Sequence, residues 1–536
     1  MPLNKKIIFI PIFLLISTSL LSGCIIQDLL FGASFNLNSY TVTDSDGFPA
    51  LKLFFSASNK VTLKMYDAGL DLMDADYFYA DSNTSLNIGS YFENIEPGNY
   101  HLRVYNPDNN KIHEEKFNLK GPSLSILSCD QKWWKDESSY VLIGLELTLT
   151  NTGDTPAYPY SLNISTESTS INGFILPNPI LPGSTETVYT SIYHRGTFKE
   201  DEFTVEIFDI NDNSLSTSSF SFEVSKNVYS TYYDISALDN SLVCPYVDFL
   251  YDYYKNLERI YIDDYSVFVF DKYDEAYIDL LIDCIIQSLD YSDFKFNTKT
   301  DKQKVEYIAS FVQGLEYKKD SEVDDSYEYP NYPVETLFNG KGGGDCEDKA
   351  ILTANLLDNL GYETALLRLP EHMAVGVKLG EDTIRGEYYV NDYDFLETTT
   401  PGFKCGQISE DEYKNPSNLT VYPIEDRPLL LHSWKNDIIT TYKNTKDGNL
   451  VKAIAYTTNL GKETAENIIV EGLFLVEDVN LELKNEQVVI DELKPGDKKK
   501  TVITVEIPDG LVTRFETRVY LDGEIVDSEI SKGSFP

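Results

Sequence analysis

One short pattern occurs twice in the chain. Thr150-Asn151-x-Gly153-x-x-x-Ala157 returns as Thr458-Asn459-x-Gly461-x-x-x-Ala465. In the first copy the alternating apolar stretch Leu142–Leu149 runs into it. Both copies are followed by a Pro-Gly turn and a further strand, at Leu181-Pro182-Gly183 and at Leu493-Lys494-Pro495-Gly496. The shared strand–turn–strand order predicts one repeated β module, at 122–227 and 429–536. Residues 24–121 read in the same style. Ala50–Phe55 and His101–Tyr105 are short β-rich runs, and Asn94–Asn99 is a turn leading into the second.

These stretches resemble the immunoglobulin-like modules of prokaryotic surface proteins, which implies β-sandwiches and no particular activity. Such modules could contact surface proteins or glycans, or act as spacers. Trp133-Trp134 is read as core or interdomain rather than as a binding platform. Asn83, Asn163 and Asn418 open acceptor tripeptides for glycosylation, a pattern common by chance. Asp320–Asp325 lacks the glycine and oxygen spacing of a calcium loop and reads as a solvated acidic stretch.

The 536 residues carry 86 acidic and 44 basic side chains, a formal net charge of −42. That field repels phosphate backbones and excludes nucleic acid as a partner. With 28 Phe and 38 Tyr the chain has ample ring surface to bury, so the acidity does not signal disorder. Its length predicts several domains.

The first residues predict the compartment. Lys5 and Lys6 precede the apolar run Ile7–Leu21, and Leu21-Ser22-Gly23-Cys24 follows. A charged start, a short apolar core and a small-residue site form the layout of an export signal. The ending resembles the lipobox of prokaryotic lipoproteins. The resemblance implies a signal peptide at 1–23 and a lipidated Cys24 anchoring the chain to the extracytoplasmic face of the membrane; a plain secretory signal is the alternative. The other cysteines are Cys129, Cys244, Cys284, Cys346 and Cys405, an odd set. With no Cys-x-x-Cys pair and no His/Cys cluster, no structural metal is expected.

Between 228 and 428 the periodicity changes. Thr300 and Gln303 have capping-box spacing, and Val305, Ile308, Phe311, Val312 and Leu315 make one helical stripe. Further on, Gly342-Gly343-Gly344-Asp345-Cys346-Glu347-Asp348 leads into the apolar segment Ile351–Leu360, closed by Gly361. Asp345 suits the N-cap and Gly361 the stop, so Cys346 falls at the start of a buried helix after a flexible glycine run. Helix-start N–H groups favour a thiolate and can receive an oxyanion, whereas Asp345, Glu347 and Asp348 oppose the thiolate. A cationic partner is therefore needed. Between 195 and 431 the sole histidine is His372, opening the strand His372–Leu379. Glu397 ends a later strand, placed to orient the far ring nitrogen. Nucleophile, base and orienting acid make the triad logic of thiol hydrolases and acyltransferases.

The Gly344–Asp348 motif with its helix, His372 opening a strand and the Glu397-Thr398-Thr399 strand end resemble the transglutaminase-like superfamily, well over 300–400 and weakly over 228–299. The resemblance implies a central α+β, papain-like domain at 228–428, flanked by all-β immunoglobulin-like sandwiches. It also implies the roles: Cys346 as nucleophile, His372 as base, and Glu397 where the family usually has Asp. Asp392 and Asp394 are fallbacks for the acid, and Gln313 is the candidate oxyanion donor. The expected activity is cleavage or transfer at amide bonds of protein or peptide substrates through a thioester, with no cofactor. Two alternatives stand beside it. One is a non-catalytic surface adhesion or assembly protein on a degenerate scaffold. The other is a self-crosslinking chain that uses Cys346.

Overall fold

The computed structural model describes residues 33–535, except 79–80, 136–138, 197, 199, 225–229, 236–239, 258, 261, 291–294, 320–329, 339–341, 381–385, 409–418, 446–447 and 477–480. The signal segment with Cys24, the acidic stretch 320–325 and Asn418 lie outside the described residues. Among those described, no helix is long and apolar enough to cross a membrane.

The expected fold class is corrected. The chain is mostly β, 52% strand against 15% helix, arranged in many small sheets, and it does not form a central α+β domain. The physical reason lies in the core. The helices Asp248–Lys255, Glu275–Asp290, Asp301–Gly314 and Cys346–Asn359 build their core together with strand residues rather than among themselves. Phe249, Ile278, Ile308 and Leu352 share one hydrophobic cluster with Trp134, Val141, Ile143 and Leu176 of the preceding β segment. Helical stripes are conspicuous in a sequence and weigh more in a reading than the helices weigh in the chain. Trp133 and Trp134 are both buried, at 2% and 3% exposure, which fits a core position rather than a platform.

The repeated pattern is a repeat of hydrogen bonds. Asn151 Nδ2 donates to Thr155 O and Ile180 O, while its Oδ1 accepts from Gly153 N and Ser123 N. Asn459 does the same with Glu463 O, Leu493 O, Gly461 N and Leu429 N. The glycine is required by close approach: a Cβ would sit 2.4 Å from Gly121 O at Gly153 and 2.1 Å from Arg427 O at Gly461. Each copy pairs a three-stranded sheet with a four-stranded one, and each pair encloses a single apolar cluster. Both asparagines are fully buried. Asn459→Ala strands two N–H and two C=O groups and is expected to destabilise its module by about 3 kcal/mol, read by denaturant unfolding. A loss under about 1 kcal/mol would show the turn to be held by its backbone alone.

The first and last β segments meet. Lys452 Nζ lies 2.8 Å from Asp76 Oδ1 and Lys500 Nζ 2.7 Å from Asp74 Oδ2, all four side chains being at most 9% exposed. Tyr456 Oη donates to Asp46 at 2.8 Å beside them, and Tyr158 Oη donates to Asp44, tying in the second segment.

A five-stranded sheet carries half of the candidate site, in the order Tyr389–Val390, Tyr393–Leu396, His372–Val377, Thr364–Leu369, Thr420–Ile424. All its pairings are antiparallel. Met373, Val375, Val377 and Leu366 face the helices, while Ala365, Leu367, Ala374 and Phe395 pack on the other side, as strand alternation requires.

Candidate active site

The helix Cys346–Asn359 begins where the sequence places it. Asp345 is the N-cap, its N–H donating to Asp348 Oδ2 at 3.3 Å. At the far end Gly361, at φ +84°, lets Tyr362 N reach Leu357 O at 3.0 Å. The glycine run before Cys346 is not a loose hinge. Gly343 and Gly344 pair in parallel with Glu316 and Tyr317. A Cβ on Gly343 would meet Glu316 O at 2.4 Å, and one on Gly344 would meet Asp348 Oδ2 at 2.3 Å. Glycine is there because another backbone and a buried carboxylate press against it. Asp348, 1% exposed, accepts from Asn331 N at 2.7 Å and Asn331 Nδ2 at 2.6 Å, which locks the first turn.

The sheet supplies the other groups. Cys346 packs against the hydrophobic cluster that holds Met373, the residue next to His372. His372 Nε2 lies 3.1 Å from Glu397 Oε2, the two side chains being 10% and 1% exposed. Thr399 N and Oγ1 donate to Glu397 Oε1 at 2.9 and 2.6 Å. Burial alone would raise the Glu397 carboxyl. The His372 hydrogen bond and charge, with the two Thr399 bonds, outweigh it and hold the group at about 2. An ionised Glu397 accepts a hydrogen bond from Nε2–H and leaves Nδ1 as the nitrogen that can accept a proton.

The remaining candidates fall elsewhere. Asp394 is buried and accepts from Gly386 N at 2.9 Å; Asp392 is exposed. Gln313 is 2% exposed, and backbone occupies both ends of its amide. Nε2 donates to Glu397 O at 2.7 Å and Phe403 O at 3.2 Å, and Oε1 accepts from Gly402 N at 3.1 Å. It braces the loop that carries the acid. Cys244, Cys284 and Cys405 are buried.

Two features escaped the sequence. The Cys346 thiol donates to Glu347 Oε2 at 3.1 Å. Burial, then the Glu347 and Asp345 carboxylates, push that thiol well above the ordinary range. Burial likewise pushes the Glu347 carboxyl up to about 7, the Asp348 charge adding to it against hydrogen bonds with Asp345 and Cys346. Burial and the two carboxylates favour the protonated thiol over the thiolate. Glu347→Gln removes the negative charge at the sulfur, and iodoacetamide labelling of Cys346 at pH 8 is expected to speed up ~10-fold. The gain should fade below pH 7, where Glu347 is itself protonated; equal labelling at pH 8 would show that the contact has no hold on the thiol. The second feature is Lys349, fully buried one turn along the same helix. A lone cation within Ala350, Ile351 and Leu352 was its only signal. Asn331 had none, because only the tertiary fold brings it to Asp348. Asp345, Cys346 and Glu347 each present a ligand-type atom within 4.8 Å of the others, but the last two are bonded to one another and we assign the trio no metal.

No family model matches the chain, and no curated protein does. Similar solved structures are distant. A red sea bream transglutaminase is 10% identical over 73% of this chain and 80% of its own, with a TM-score of 0.21. The YadV chaperone is 12% identical over 35% of this chain and 99% of its own, TM-score 0.13. The Amycolatopsis orientalis exo-chitosanase CsxA is 8% identical over 90% of this chain and 76% of its own, TM-score 0.15. A transglutaminase is thus among the structural neighbours, and at these scores none of the three carries an argument.

Proposed function

We propose that the chain is a thiol enzyme acting on amide bonds of protein or peptide substrates, held at the outer face of a membrane by a lipid on Cys24. The observation that carries the reading is the 3.1 Å pairing of His372 Nε2 with Glu397 on a sheet that packs against the helix start bearing Cys346. In the reaction His372 Nδ1 takes the Cys346 proton as sulfur attacks the carbonyl carbon. The helix-start N–H groups receive the oxyanion. The C–N bond then breaks, the imidazolium returns the proton to the leaving amine, and a Cys346 thioester remains. Water resolves it to an acid, or a second amine to a new amide.

One observation favours a second reading, a non-catalytic surface scaffold: the Glu347 contact holds Cys346 as a thiol. Incubating the purified chain with casein and a fluorescent primary amine separates the two. Ammonia release or amine incorporation, with an acyl adduct on Cys346 by mass spectrometry, supports the enzyme. Neither turnover nor adduct across pH 5–9 would leave the scaffold.

A further inference from the structure

Loop 269–274 joins the short turn Tyr265–Phe268 to the helix Glu275–Asp290. Asp274, the last residue before that helix, is 0% exposed, and among the described residues neither its Oδ1 nor its Oδ2 has a hydrogen-bond partner. Its carbonyl is committed to the helix, accepting from Tyr277 N at 2.8 Å and Ile278 N at 2.9 Å. Three residues earlier in the chain, Asp271 Oδ1 accepts from Tyr254 Oη at 2.6 Å and from Tyr273 N at 2.7 Å. The helix that begins with Cys346 reaches the same loop. Asn355 Nδ2 donates to Val269 O at 2.9 Å, while Asn355 Oδ1, on a residue 3% exposed, has no partner among the described residues. The basic side chains beside the loop are engaged elsewhere: Lys272 Nζ meets Tyr160 Oη at 2.8 Å, and Arg259 pairs with Glu335. Three buried acceptor atoms from two elements thus meet at one loop with no N–H or O–H directed at them. Burial, then the charges of Asp271 and Glu275, pushes the Asp274 carboxyl well above the usual carboxylate range. A buried carboxylate persists where donors or a cation offset its lost hydration. Carboxylate and amide oxygens are the ligands of Ca²⁺ and Mg²⁺, and two carboxylates balance a divalent charge.

We propose that Asp274, with Asp271 and the Asn355 carbonyl beside it, binds a divalent cation of the Ca²⁺ and Mg²⁺ class. The ion ties the start of the helix Glu275–Asp290 to the helix Cys346–Asn359. Tb³⁺ takes the same oxygen ligands and is sensitised by nearby tyrosines; here Tyr254 is bonded to Asp271, and the Tyr332 ring lies 4.7 Å from that of Tyr254. The full chain, stripped with EDTA and desalted, is titrated with Tb³⁺ at about 0.15 M salt, where diffuse attraction to surface acids is screened. Ca²⁺ or Mg²⁺ is then added as competitor. Wild type is expected to show one saturating sensitised site that either competitor empties. Asp274→Asn should bind at least ~10-fold more weakly, and Asn355→Leu should fall between the two. The unfolding temperature should rise with Ca²⁺ or Mg²⁺ in wild type and not in Asp274→Asn. Equal Tb³⁺ binding in Asp274→Asn means surface acids only and overturns the proposal. A wild type with no sensitised signal, and an unfolding temperature that neither ion moves, also overturns it and leaves Asp274 a neutral buried carboxyl. If Asp274→Asn does not fold, Asn355→Leu decides: weaker binding supports the site and wild-type binding overturns it. These readouts need no turnover, so the proposed function and this site stand or fall separately.

Discussion

Cys346→Ala is expected to lower amide turnover by at least ~10³-fold, because no other group at the site can form the thioester. His372→Ala should fall about as far, and the double variant no further, since nucleophile and base act as one unit. Glu397 sets the form of the pH profile. With its carboxyl held at about 2, it stays ionised at every working pH, so the rate should follow the thiol and imidazole and show no inflection from the acid. The sign of its contribution to stability follows. A carboxyl lowered in the folded state stabilises above its unfolded value near 4.5, and that contribution is lost as pH falls toward 2. A Cys346→Ala protein that turned over casein at the wild-type rate would place the chemistry elsewhere.

Lys452→Met is expected to destabilise the contact between the first and last β segments by ~3–5 kcal/mol. The lysine is 4% exposed and its partner Asp76 1%, with the rings of Tyr77, Phe78 and Tyr442 around the ammonium at 5.1, 4.6 and 5.7 Å. Among the described residues Asp76 Oδ2 has no hydrogen-bond partner, so removing the ammonium leaves a buried carboxylate with little to hold it. Lys452→Met with Asp76→Leu removes both charges and should recover most of the loss. Thermal unfolding checks both. A single variant as stable as wild type would mean that water already reaches the pair.

The sequence was legible where chemistry is local. The Thr300–Gln303 capping box, the Gly361 stop, the strand at His372 and the Asn151 and Asn459 turns each depend on neighbours a few residues away, and each appears where its pattern predicts. The candidate residues Cys346, His372 and Glu397 were read from a helix start, a single histidine and a strand end, and the structure brings His372 and Glu397 to 3.1 Å. The fold class was misread because helical stripes reveal which face is buried but not against what, and here part of the answer is a β segment more than a hundred residues upstream. The same blindness hid Gln313. An amide on a buried helix looks like a spare donor until the fold lays the 397–403 backbone across it. The glycine run looked flexible for a similar reason, since only the fold brings Glu316 against it.

The clasp between Asp76 and Lys452 joins points near opposite ends of the polypeptide, with the second β segment and the helices strung between them. A protease that opens the chain anywhere in that span therefore makes two polypeptides without making two particles. Denaturing electrophoresis would show fragments while the native species keeps its size. Continuity of the backbone and integrity of the molecule are separate properties here.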